Sequence, residues 1–192
     1  MESEQTLLSA ISQITALDAG AMDAARKRQA ELAKPPGSLG LLEDISVQLA
    51  GITGSVKNTI QKTRIYVLAA DNGVVDEGVS CAPRSVTLQQ AINMTRRRTG
   101  MSAMAAAFGD DVAVVDVGIA ADVPGVGILD RKVRRGTGNI AVEDAMTRPE
   151  ALAAMAAGME QAARARADSI TALGIGEMGI GNTSTSAAVL SA

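Results

Sequence analysis

Near the end of this 192-residue chain, four glycines punctuate the run Gly174-Ile-Gly-Glu-Met-Gly-Ile-Gly-Asn-Thr183. Between an apolar segment and a helix, such a loop lets backbone approach a ligand while N–H groups at the helix start face an anion. Phosphate is the guest that this chemistry favours. Small residues also suit a tight, closely packed turn, and the loop alone leaves both readings open. Gly174, Gly176 and Gly179 match G-x-G-x-x-G as well, but the acidic residue that a dinucleotide site needs further on would fall beyond Ala192. An NAD-type oxidoreductase therefore has only the glycines behind it. Glu177 sits inside the loop, where bound phosphate would repel it unless it served a sugar hydroxyl or a leaving group. That placement points to a ribose phosphate, against the plainer fate of a solvated loop acid.

A second polar cluster, Asp71-Asn72-Gly73, closes another apolar run and reads either as ligand contacts on a rigid scaffold or as ordinary turn chemistry. Taken alone, Ser80, Cys81 and Gln89 read as loop polarity, a buried thiol and an exposed amide. Arg96-Arg-Arg98 suits a helix C-terminus, and the basic residues from Arg131 to Arg135 suit a solvated strand and turn. The chain has no histidine, which removes the commonest acid–base group and every Ser-His or Cys-His nucleophile. Acid–base work falls to carboxylates. The single Cys81 cannot close an internal disulfide, and without histidine no zinc ligand set is expected. With Tyr66 and Phe108 the only aromatics, binding by stacking platforms has little support.

Composition narrows the class further. Hydrophobic residues make up 47% and charged residues 20%, with 19 Gly and 5 Pro, the balance of a globular chain. A net charge of −3, from 18 basic and 21 acidic residues without a long like-charge block, argues against nucleic acid as a partner. The charge-free stretch from Met178 onward is broken by Asn182, Thr183, Ser184 and Thr185, so no membrane span is expected. Glu2 and Glu4 stand where a signal peptide would carry basic residues, and a cytoplasmic protein follows as the expectation.

The elements that must position these groups can be read from spacing. Leu7, Leu8, Ile11, Ile14 and Leu17 predict a first helix; Asp18 caps a second, running through Met22, Ala25 and Leu32. Lys34-Pro-Pro-Gly37 stops it. Ser38 then caps a third helix with the face Leu39, Leu42, Ile45, Leu49 and Ile52, ending at Gly54. Buried strands are predicted at Ile65–Ala70, Val112–Val117 and Ser169–Leu173, with a weaker one at Ile128–Val133. Helices are predicted from Ser85 to Arg98 and, behind the capping box Thr147-Arg-Pro-Glu150, to about Ala167. The result is a helical N-terminal subdomain over 1–60 and an α/β domain with a mainly parallel sheet over 61–192. Ligands should lie beyond the carboxyl ends of its strands.

Several separated blocks together resemble one family in order and spacing. They are Lys34-Pro-Pro-Gly-Ser-Leu-Gly40 with Leu42-Glu43, Asp71-Asn-Gly-Val74 with Glu77-Gly-Val-Ser80 and Pro83, Val86-Thr-Leu-Gln89, and Gly176-Glu-Met-Gly-Ile-Gly-Asn-Thr183. The family is nicotinate-nucleotide:dimethylbenzimidazole phosphoribosyltransferase. The resemblance implies a Rossmann-like three-layer fold and a homodimer. It also implies transfer of 5-phosphoribose from nicotinate mononucleotide to a benzimidazole-type base, giving α-ribazole 5′-phosphate and nicotinate in cobalamin assembly, without metal or cofactor. By motif, Gly174, Gly176, Gly179, Ile180, Gly181, Asn182 and Thr183 would hold the phosphoribosyl part, with Glu177 as the catalytic acid group. Ser80 and Gln89 would lie near the base, and Asp71 and Asn72 would line the same cleft.

Two departures from the family pattern carry consequences. Asn72 stands where the family usually has histidine, keeping hydrogen bonding but losing titration. Family members also continue well past the Gly-Asn-Thr motif, and the carboxylate regarded as general base lies in that later part. The chain thus looks like a C-terminally truncated, N-terminal portion of the enzyme, expected to have negligible activity alone and to expose apolar sheet edges. The alternative from another class is a truncated, non-catalytic relative that retains phosphate or benzimidazole affinity or pairs with a full-length subunit.

Overall fold

The computed structural model describes residues 2–125 and 127–192. The chain divides into two compact units, Leu8–Ile60 and a larger one containing Gln61–Ala192.

In the first unit, α2 (Ala19–Glu31) begins as its sequence suggests, with the Asp18 carboxylate accepting from the Ala21 N–H at 2.9 Å. Helix α1 (Glu2–Ser12) stops before Ile14 and Leu17, which lie outside any helix and are exposed. Helix α3 (Leu41–Thr53) is capped by Gly40 at positive φ, not by Ser38. The reason is the Pro-Pro-Gly turn, whose chain is folded back onto Glu43: that carboxylate takes Lys34 Nζ at 2.6 Å and the Leu39 N–H at 3.2 Å. The buried face of α3 is also different from the one its large residues suggest. Val47 and Ala50 pack on Ala25, while Leu39, Leu42, Ile45 and Ile52 are exposed. Small residues decide this contact, because they let two helices approach closely; a Cβ on Gly51 would lie 2.8 Å from Met22 Sδ.

The larger unit is α/β. A four-stranded sheet has the order β3-β2-β1-β4, from β1 (Thr63–Ala70), β2 (Asp111–Gly118), β3 (Leu129–Asp130) and β4 (Ala172–Met178). Every pairing is parallel, with Tyr66 set between Ala113 and Ile175. On one face α4 (Val86–Thr95) brings Ala91, Leu88 and Met94 against Ala69, Val114 and Met178. On the other, α6 (Arg148–Ala167) packs Ala165 against Tyr66 and Val115. Its start is the predicted capping box, Thr147 with Glu150.

Helix α5 (Gly100–Phe108), which spacing did not predict, is nucleated by a Thr99–Ser102 capping box. The weak third strand is real but only two residues long. The last strand is shifted: Ser169, at φ 58°, turns the chain, and pairing with β1 starts only at Ala172. It is an edge and not a buried strand, with Ile175 82% exposed.

The basic residues from Arg131 to Arg135 are not simply solvated. Arg131 meets Glu160 at 2.5 Å, Lys132 meets Asp116 at 2.8 Å, Arg134 meets Glu150 at 3.3 Å, and Arg135 meets Asp122. Hydrogen bonding to Arg131 draws the Glu160 carboxyl down to about 2 from an ordinary 4.5. Arginine partners likewise lower Asp122 and Asp168, and capping by Thr147 lowers Glu150. Depressed carboxylates stabilise the fold while ionised, so the contribution is full above pH 4.5 and lost as pH falls through about 2. Acid titration followed by far-UV circular dichroism should therefore show unfolding in that window. Salt should weaken the effect, because these pairs are largely exposed.

Candidate active site

Polar groups converge where β4 ends and α7 (Asn182–Ser191) begins, beside the end of β1. The four-glycine loop of the sequence reading is shorter than expected. Gly174 and Gly176 belong to β4, opposite Ile65 and Val67, and only Gly179 and Gly181 form the corner. Pairing with β1 extends the strand through these glycines. At Gly174 the side-chain space is already taken, since a Cβ there would lie 3.0 Å from Ile65 Cγ1.

The corner is held by side chains from two other elements. Asn72 Nδ2 donates to the Ile180 carbonyl at 3.0 Å, and Thr185 Oγ1 donates to Asn72 Oδ1 at 3.3 Å. One amide thus works as donor and acceptor at once, and its hydrogen bonds do not depend on pH near neutrality. From α4, fully buried Thr87 accepts the Ile180 N–H at 3.1 Å. Gly181, at φ 85°, then turns the chain into α7.

These bonds decide which donors are left unpaired. The Ile180 N–H is consumed by Thr87, and the Asn182 N–H by the Gly179 carbonyl at 3.0 Å. The N–H groups of Gly181 and Thr183 have no acceptor among the described residues. They stand at the positive end of the α7 dipole, where an anion is favoured. Beside them the Glu177 carboxylate accepts Asn182 Nδ2 at 2.6 Å. An acid group and an anion-binding helix start therefore share one corner.

Other residues singled out in the sequence have no side-chain hydrogen bond to this corner among the described residues. Asp71 is buried, but its Oδ2 accepts the Ala120 N–H at 2.8 Å, bracing the segment after β2; its Oδ1 has no partner among the described residues. Ser80 Oγ accepts the Ala82 N–H at 3.1 Å within its own turn. Cys81 is exposed, not buried, because that turn lies at the surface. Gln89 is exposed on α4, two residues past Thr87 and so on another side of the helix. Thr87 and Thr185, which the sequence reading did not single out, are the added members; a threonine on a helix carries no sign that its hydroxyl serves another element. Thr87→Val should cost about 1 kcal/mol by leaving the half-buried Ile180 N–H unpaired. A urea midpoint that does not move would show that Thr87 does not hold the corner.

A family model described as Phosphoribosyltransferase (DBI_PRT) matches residues 14–192. The nicotinate-nucleotide–dimethylbenzimidazole phosphoribosyltransferase of Clostridium perfringens (strain 13 / Type A) is 47% identical over 179 residues, covering 93% of this chain and 50% of its own length. That of Ruminiclostridium cellulolyticum is 44% identical over 186 residues, 97% of this chain and 53% of its own. Among solved structures, the enzyme of that name from Thermus thermophilus superposes with a TM-score of 0.83 at 44% identity, over 87% of this chain and 51% of that one. The chain spans about half the length of the curated relatives it matches. With its parallel sheet, its glycine corner and a match over most of its length, the chain belongs to the phosphoribosyltransferase family that includes the nicotinate-nucleotide–dimethylbenzimidazole enzymes.

Proposed function

We propose that the chain supplies the phosphoribosyl-binding part of an enzyme that transfers 5-phosphoribose from nicotinate mononucleotide to 5,6-dimethylbenzimidazole. The carrying observation is the corner itself, where the unpaired N–H groups of Gly181 and Thr183 adjoin the Glu177–Asn182 pair. Phosphate would be held by the helix start and the ribose oriented by Glu177 and Asn182. In the reaction, the bond from the anomeric carbon to the pyridine nitrogen breaks and leaves its electron pair on nicotinate. A bond forms from a benzimidazole nitrogen to the same carbon, and the displaced ring proton passes to a carboxylate. A cytoplasmic homodimer remains part of the same proposal.

Calorimetry tests the reading directly. Nicotinate mononucleotide should bind, and Asn182→Ala should weaken it about tenfold, the worth of one lost hydrogen bond to a charged or positioned group. Binding unchanged in that variant would move the nucleotide away from this corner. A second reading, a non-catalytic nucleotide binder that pairs with another polypeptide, draws on the edge strand β4, whose Leu173 and Ile175 are exposed. It is favoured if nucleotide binds but dimethylbenzimidazole does not.

A further inference from the structure

At the opposite, amino ends of the strands, Arg64, Tyr66, Asp111, Leu129, Gln161 and Arg164 line a cavity of about 420 Å³. That size lies within the range of about 300–1,000 Å³ usual for small-molecule sites. Gln161 is the unexplained group. It is 2% exposed in the sheet-facing stripe Ala157, Gln161, Ala165 of α6, yet neither its Nε2 nor its Oε1 has a partner among the described residues. A buried amide unpaired on both its donor and its acceptor is costly, and native proteins keep few of them without a reason.

The charges around the cavity are paired: Arg64 bonds Asp111 and Asp168, each at 2.6 Å, and Arg164 shares Glu160, at 2.7 Å, with Arg131. Among the described lining residues no cation is without a carboxylate. Tyr66, with the Arg64 guanidinium 5.8 Å from its ring centre, adds a flat wall. We propose that this cavity binds a neutral, planar molecule carrying a carboxamide or lactam edge. The carbonyl of that edge takes the Gln161 Nε2–H, and its N–H donates to Oε1. Both amide atoms are sealed from solvent, so the ligand reaches them by displacing Arg164, a lining residue whose side chain is 45% exposed. The inference stands apart from the nucleotide reading, since it rests on no residue of the β4–α7 corner.

The test uses the ¹⁵N-labelled full chain, titrated to millimolar concentrations with benzamide and with uracil, and with benzoate as the charged analogue. The Gln161 side-chain NH₂ resonances should shift saturably with benzamide or uracil and not with benzoate. Gln161→Met should abolish the binding, and saturating nicotinate mononucleotide should leave the shifts in place. Should that variant fail to fold, triple-resonance assignment of the unsubstituted chain identifies the same NH₂ pair and the titration still decides. Resonances that stay put with both neutral probes, as expected for a cavity holding water only, would overturn the proposal, as would displacement of the probe by the nucleotide.

Discussion

Asp116→Ala is expected to destabilise the α/β unit by about 3–5 kcal/mol, the usual result of removing one partner from a buried ion pair. Asp116 is 1% exposed at the end of β2. Its Oδ1 accepts the N–H groups of Gly118 at 3.0 Å and Ile119 at 2.8 Å, while Oδ2 meets Lys132 Nζ at 2.8 Å. The same ammonium reaches the carbonyls of Ile119 and Ala121, so the carboxylate and the lysine together fix the chain leaving β2 against the segment after β3. Alanine would orphan two buried N–H groups and leave Lys132 among carbonyls without a counter-charge. Lys132→Met should cost less, because the Asp116 carboxylate keeps both backbone donors. Urea unfolding followed by circular dichroism reads the difference; equal losses in the two variants would show that the ion pair, and not the backbone turn, is what matters.

Gly179→Ala is expected to disable the corner. A Cβ there would lie 2.2 Å from the Ala70 carbonyl oxygen and 2.7 Å from Asn72 Nδ2. The carbonyl belongs to the last residue of β1 and cannot swing aside, so the turn must move as a whole. Overpacking of this kind costs about 1–3 kcal/mol. It should also weaken nicotinate mononucleotide by about 10–100-fold, since each ~1.4 kcal/mol is a factor of ten. Gly176→Ala is the matched control. Its added methyl would sit 3.7 Å from Val67 Cγ2, an ordinary contact, and nucleotide affinity should hardly change. If both variants bind alike, the corner is more pliant than its close contacts imply.

The contrast between these two glycines illustrates what sequence could and could not convey. Both stand in one glycine-rich run, and nothing in their spacing separates a strand glycine from a turn glycine. Parallel pairing of β4 with β1 makes that separation, through hydrogen bonds to residues more than a hundred positions away. Thr87 and Asn72 are similar: the helix and the turn that carry them are legible locally, but their shared partner, Ile180, is not. In α3 the large apolar residues suggested one face, whereas close approach of α2 selected the small residues of another.

Local chemistry in the sequence was enough to set the α/β class, the caps at Asp18 and Thr147, the first two strands and the family, because each depends on neighbours within a few residues or on motifs in order. Tertiary structure alone decided the strand order, the exposed edge at β4, and which N–H groups at the start of α7 remain unpaired. The physical reason is that a donor becomes available only after every distant acceptor able to reach it has been placed, and that placement is a property of the folded chain.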